Sequence, residues 1–373
     1  FVVNDIFPST QSEVELAAKA DGTIVAVYTD FSGADSSVQG VFLREFDSTG
    51  TPLGASVQVN TETASTQSDA DVTVLDGGRV LVTWTSSTSG SAGDGSGNGV
   101  FARLFESDGT PVGSEFPVNS STASSQDGAR AAALTDGGFV VVWQDNSGLD
   151  GSGLAILQQR FDVDGNPVGP EVLVNEFVSS NQFDPYVIKL EDGGWVVSWT
   201  SIGGNDGSGQ GVFGQRFAAD GSPVDGEFQI NTEFSSTQNE SRLVNLGNNA
   251  FTAVWSSQTS GTAGDGSGIG VFQQVFDDGA DVSVSSDPIF SGVLPDLTLD
   301  EAALNAAGAA IAASIGLGDA DSADFDGGTL TISMVVNDVV QPQFADPDNA
   351  TQDQLSLDVS GLVSVSPTDE VSV

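Results

Sequence analysis

Over roughly the first 280 residues, apolar positions come in short runs, often alternating with polar ones and bounded by Gly, Asp, Asn or Ser. In "WVVSW", Trp195, Val197 and Trp199 share one face of an extended chain, while Val196 and Ser198 share the other. No helical period is visible in this stretch, so the pattern predicts strands.

The runs recur. Val/Ile-Asn appears at Val3-Asn4, Val59-Asn60, Val118-Asn119, Val174-Asn175 and Ile230-Asn231, at intervals of 56, 59, 56 and 56 residues. An aromatic residue closing a second run, at Tyr28, Trp84, Trp143, Trp199 and Trp255, repeats with the same intervals. Two independent markers in register define five copies of one unit. Each copy opens with an apolar stretch such as "DADVTVL" (69–75) and continues through a "DGG" turn into a β-rich strand, as in "DGGRVLVTW" (76–84). A glycine-rich turn then leads to "GVFARLF" (99–105), and a further turn leads to a strand ending in Val-Asn, "EFPVN" (115–119). Four short strands per unit predict a propeller blade, and thus an all-β, five-bladed β-propeller over residues 1–284. The fifth unit lacks a strand ending in Val-Asn, and the opening "FVVN" supplies one. The pattern therefore favours a ring sealed by pairing of the first and last segments over an open array in which "DVSVS" (281–285) is the last strand. The repeated aromatics could stack sugars, but strand-end aromatics among β-branched neighbours point to burial between blades.

Beyond a linker at 285–297, marked by Pro288 and Pro295, the grammar changes. "TLDE" (298–301) has the form of a capping box, and the alanine-rich run 302–315 predicts one helix, ended by Gly316 and Gly318. Alternating segments follow, as in "DQLSLDVSGLVSVS" (353–366). Residues 298–373 read as a small β-sandwich, unfinished at Val373.

Charge narrows the partners. The chain has 52 acidic and 9 basic residues, for a net charge of −43, which disfavours nucleic acid and anionic lipid. It has no Cys and no His, which removes disulfides, thiolate chemistry and the commonest general base and zinc ligand. No apolar run reaches the length of a membrane span. The composition suits an extracellular bacterial protein, a piece of something longer.

Acidic loops are the candidate chemistry. "DADSADFD" offers Asp319, Asp321, Asp324 and Asp326, and the loop at 346–353 offers Asp346 and Asp348; such density suits calcium, which takes six to eight oxygens. Solvated surface charge is the plainer alternative. Asp94, Asp150, Asp206 and Asp265 head the repeated "DGSG" turns and are weaker calcium candidates, because one carboxylate per turn falls short of a shell. Those turns read first as architecture. A hydrolase without His or Cys would need paired carboxylates. The acids look scattered through repeated turns with none standing out, so no enzyme is expected.

The units "DGGFVVVW", "DGSGQGVFGQRF" and "EFQIN" resemble repeats of very large secreted bacterial surface proteins, the RTX-type adhesins and their calcium-binding relatives. "DADSADFDGGTLTIS" (319–333) is similar to the opening of cadherin-like or immunoglobulin-like modules. The resemblance implies calcium-dependent folding or secretion and a role in surface attachment or biofilm assembly. The nonapeptide calcium repeat of RTX blocks is absent. The leading expectation is a non-catalytic adhesion or matrix-assembly module on the cell surface, stabilised by calcium and binding a surface component, a glycan or copies of itself. A surface-layer or filament subunit comes next, then a lectin, and last a carboxylate glycosidase.

Overall fold

The computed structural model describes residues 2–5, 10–34, 39–63, 66–87, 97–203, 209–232, 237–258 and 269–276, and six short strands beyond them. Two compact units divide the chain, Phe1–Val282 and Ser283–Val373.

The first unit is a five-bladed β-propeller. Blade 1 consists of β1 (Gln11–Ala18), β2 (Ile24–Asp30), β3 (Gly40–Phe46) and β4 (Val57–Gln58). Blade 2 consists of β5 (Gln67–Val74), β6 (Val80–Ser86), β7 (Gly99–Phe105) and β8 (Pro111–Pro117). Blade 3 holds β9 (Gln126–Ala133), β10 (Phe139–Asp145), β11 (Ala155–Phe161) and β12 (Pro167–Leu173). Blade 4 holds β13 (Gln182–Lys189), β14 (Trp195–Ile202), β15 (Gln210–Phe217) and β16 (Pro223–Gln229). Blade 5 holds β17 (Gln238–Gly247), β18 (Ala250–Ser257) and β19 (Gly270–Phe276). Each blade is an antiparallel meander in chain order. The first strands of consecutive blades lie side by side, β1 by β5, β5 by β9, β9 by β13 and β13 by β17, so they line the central channel.

Middle strands are buried on both faces, and alternate residues serve different neighbours. Trp195, Val197 and Trp199 join Ile156 and Val174 of blade 3 in one apolar cluster. Val196 points the other way and packs with Phe251 and Trp255 of blade 5. Trp84, Trp143, Trp199 and Trp255 expose 3 % or less, so the repeated aromatics fill the wedges between blades and present no sugar platform.

The recurrent Val-Asn is a hydrogen-bonded joint. Asn175 Oδ1 accepts from the Ile156 backbone N–H at 2.8 Å, while its Nδ2 donates to the Phe177 carbonyl at 3.0 Å and to Gln182 Oε1 at 3.3 Å. Asn60 and Asn119 repeat all three contacts, each tying a strand of its own blade to the glutamine that opens the next. A glutamine seven residues after each asparagine is thus part of the same repeat. Asn175→Ala leaves a buried donor and acceptors unmatched, and we expect it to cost about 2–3 kcal/mol in chemical denaturation.

The seal between the ends differs from expectation. Among the described residues the fifth sheet has three strands, and residues 2–4 form no ladder with β19. Val271 is 79 % exposed, whereas its repeat counterparts Val41, Val100, Ile156 and Val212 are fully buried. The opening segment instead docks on blade 1. Arg44 donates to the Val3 carbonyl at 2.8 Å, as Arg103 does to Val59 at 2.9 Å, and Asp5 accepts from the Ser56 backbone N–H at 3.0 Å. Val3-Asn4 therefore keeps the arginine contact that Val59-Asn60 makes with the following blade, without the ladder to the preceding one.

In the second unit, Ile289–Ser291 pairs with Gly316–Gly318, Thr329–Thr331 with Glu370–Ser372 in parallel, and Val335–Val336 with Val339–Val340. Gly316 and Gly318 thus lie in a short strand, where the sequence predicted a helix stop. The expected helix at 302–315 lies outside the described residues. No helix among the described residues is long and apolar enough to cross a membrane.

Candidate functional site

Every innermost strand carries a bulge near its start, with ladder shifts after Ser12, Ser68, Phe183 and Asn239 and the matching shift in β9. The extra residue adopts a left-handed conformation: Glu13 at φ 55°, Asp69 at 51°, Gly128 at 65°, Asp184 at 52° and Glu240 at 57°. A bulge re-aims its side chain, and here four of the five re-aimed residues are acidic. Non-glycine residues seldom take positive φ, so a fivefold repeat of it at the channel marks a built feature.

Blade 3 breaks the pattern. Its bulge residue is Gly128, and the carboxylate moves to Asp127, where the other blades have Ser12, Ser68, Phe183 and Asn239. Gln144 stands where the others have Thr29, Thr85, Thr200 and Ser256. These departures meet one another. Gln144 Nε2 donates to Asp127 Oδ1, Asn98 Nδ2 donates to Asp127 Oδ2 at 3.2 Å, and Gln144 Oε1 accepts from the Asp184 backbone N–H at 3.2 Å. In blade 1 the equivalent threonine, Thr29, donates to Glu13 at 2.7 Å, and Glu13 also accepts from the Asp69 backbone N–H at 3.0 Å.

The result is a cavity of about 260 Å³ on the channel, walled by Asp69, Asp127, Asp184, Gln144, Arg130 and Arg242. Desolvation by the surrounding blades raises the pKa of Asp69, and the neighbouring Glu13 and Asp127 raise it further against Arg130. Asp184 is also raised, first by burial, with Arg242 opposing and Glu240 adding. Both residues remain exposed. One step along the channel, burial pushes Asp71 up to about 6, although Arg130 and the Ala131 backbone N–H, 3.0 Å away, favour its ionised form.

That elevation has a stability consequence. The folded state holds the Asp71 proton more tightly than the unfolded chain, so Asp71 destabilises the fold increasingly as pH rises from about 4 to 6. Asp71→Asn keeps an acceptor for Ala131 and removes the penalty. We expect it to raise stability by about 1–3 kcal/mol at pH 7.5 and leave it unchanged near pH 3.5, read by calorimetry at both values.

Of the calcium candidates, Asp150 lies in a described turn, where its Oδ1 accepts from the Ser152 backbone N–H at 2.9 Å. Asp94, Asp206, Asp265, Asp319, Asp321, Asp324, Asp326, Asp346 and Asp348 lie outside the described residues. Among the described residues no group of three or more acids is arranged to hold a metal ion. None of the channel acids was singled out from the sequence, because no repeat marker contains them. Each follows the repeated glutamine by two residues, as in Gln67/Asp69 and Gln182/Asp184, or by one in Gln126-Asp127. Aligning the units on that glutamine would have exposed both the acidic ring and its break in blade 3.

No protein-family model matches the chain, and no curated protein does either. Among solved structures, the chain is similar to an endo-arabinase from Bacteroides thetaiotaomicron, at 13 % identity and TM-score 0.42, over 72 % of this chain and 95 % of that one. It is also similar to an α-L-arabinofuranosidase from Lactobacillus brevis, at 10 % identity and TM-score 0.41, over 71 % and 90 %. A protein of unknown function from Dyadobacter fermentans matches at 10 % identity and TM-score 0.49, over 67 % and 76 %. At these identities the likeness concerns the fold.

The expectation of a non-catalytic adhesion, layer or lectin module is corrected by the channel geometry. It rested on acids scattered through turns with none distinct. The structure gathers carboxylates from blades 2, 3 and 4 around one cavity, with repeat symmetry broken at that place.

Proposed function

We propose that the propeller is a glycoside hydrolase-like enzyme that cleaves a glycosidic bond at the channel cavity by carboxylate acid–base chemistry. The observation that carries this reading is the convergence of Asp69, Asp127 and Asp184 on one cavity, with two of them raised in pKa and the third held by two amide donors. Two carboxyl groups in different surroundings can divide the acid and base roles. Asp69, whose proton burial makes harder to lose, is the acid that protonates the leaving oxygen as the C–O bond breaks. Asp127, oriented by Asn98 and Gln144, serves as the basic partner, which either attacks the anomeric carbon or takes a proton from the attacking water. Asp184 binds substrate hydroxyls from the facing blade. With neither His nor Cys in the chain, carboxylates are the groups available for this work near neutral pH.

Incubation with a panel of α- and β-linked polysaccharides, followed by reducing-end detection, tests the proposal. New reducing ends formed by the folded protein support it, and their absence across the panel would sink it.

A further inference from the structure

Nine cationic side chains serve a chain of net charge −43. Six of the nine lie within ion-pair distance of a carboxylate. Arg103 is spent on the backbone, donating to the Val59 and Gly113 carbonyls. Arg130 and Arg242 are different. Among the described residues neither has a carboxylate within ion-pair distance, yet both line the cavity that holds Asp69, Asp127 and Asp184.

Both guanidinium groups are steadied from behind. Arg130 Nη1 donates to the Ala129 carbonyl at 2.7 Å, and Arg242 Nη1 donates to the Ser241 carbonyl at 2.8 Å. The Arg242 guanidinium also lies over the Tyr186 ring, 5.2 Å from its centroid. One arm of each fork is thus engaged, while the other N–H donors remain for a ligand. The two arginines occupy equivalent positions of blades 3 and 5, where the other blades carry Glu15, Asp71 and Tyr186. They were not made cationic by the repeat itself.

Two guanidinium groups facing one cavity match a planar, doubly hydrogen-bonding anion. A carboxylate on a sugar ring has that form. We propose that the cavity takes an acidic sugar, a hexuronate or similarly charged residue, whose anionic group is held between Arg130 and Arg242. The overall negative charge of the chain does not forbid this, because repulsion beyond about 8 Å is screened at physiological salt. Cleavage of the acidic sugar rests on the hydrolase reading above; its binding does not.

The test uses a hexuronic-acid trisaccharide and its carboxyl-reduced counterpart, in which each carboxylate is replaced by a hydroxymethyl group. Binding to the full chain is measured calorimetrically on Asp127→Asn, so that turnover does not intervene. The uronate should bind about tenfold to a hundredfold more tightly than the reduced sugar. Arg130→Gln and Arg242→Gln should each shrink that preference markedly, with unchanged circular dichroism. Arg242→Lys, which keeps the charge and loses the fork, should fall between. Equal or stronger binding of the reduced sugar would overturn the inference, as would a preference that survives both Gln substitutions in folded protein. If the wild type cleaves the reduced sugar without preference for the uronate, the hydrolase reading stands and this inference fails. If the uronate binds selectively and neither sugar is ever cleaved, the reverse holds.

Discussion

Asp127→Asn is expected to lower hydrolysis by about a hundredfold to ten-thousandfold while leaving the melting curve nearly unchanged. Asp127 is half-buried, and both of its oxygens accept from side-chain amides, Asn98 and Gln144. The Asn side chain has nearly the same shape and can still accept one of these bonds, so the fold loses little. The lost group is the charge that would assist attack at the anomeric carbon. Asp69→Asn should be similarly inactive for a different reason, since it removes the proton donor. The two variants separate when the substrate carries a good leaving group that needs no protonation: Asp69→Asn should then recover activity and Asp127→Asn should not. If Asp127→Asn hydrolyses at the wild-type rate, Asp127 has no part in the chemistry.

Trp199→Ala should be the most damaging substitution in the scaffold. Trp199 is 0 % exposed and sits opposite Phe213 in the β14–β15 ladder, in the cluster that binds blade 4 to blade 3. Truncation empties the wedge between the two sheets and should cost about 3–5 kcal/mol. Among the described residues Trp199 Nε1 has no hydrogen-bond partner, unlike Trp195 Nε1, which donates to Gln158 at 2.8 Å. Trp199→Phe therefore gives up volume but no hydrogen bond, and it should cost much less than Trp199→Ala. Equal destabilisation of the two variants in urea would show that packing volume is not what Trp199 supplies.

The scaffold was readable because each blade repeats the same solution. Strand alternation, "DGG" turns and Val-Asn joints recur at fixed spacing, and local pattern and global packing agree. The five blades and the buried tryptophans follow directly from that agreement. The end-to-end ladder did not follow, because sequence complementarity between Val2-Val3 and β19 cannot say whether two chain segments meet. The candidate site was hidden for a related reason. Its acids belong to three separate strands, and only ring geometry brings Asp69, Asp127 and Asp184 to one place. Composition pointed at dense acidic loops, which are conspicuous in the chain; the channel acids are sparse in the chain and dense in space.

The left-handed residue at the head of each inner strand separates what the backbone does from what the side chain does. Because the main chain takes nearly the same path at all five places, one residue there can be exchanged for another without disturbing its neighbours' strands. Glu13, Asp69, Gly128, Asp184 and Glu240 are then five interchangeable letters on a common socket. A lineage built by copying such a unit could acquire, lose or redirect chemistry by respelling one position at a time, while the architecture that holds the letters stays as it was.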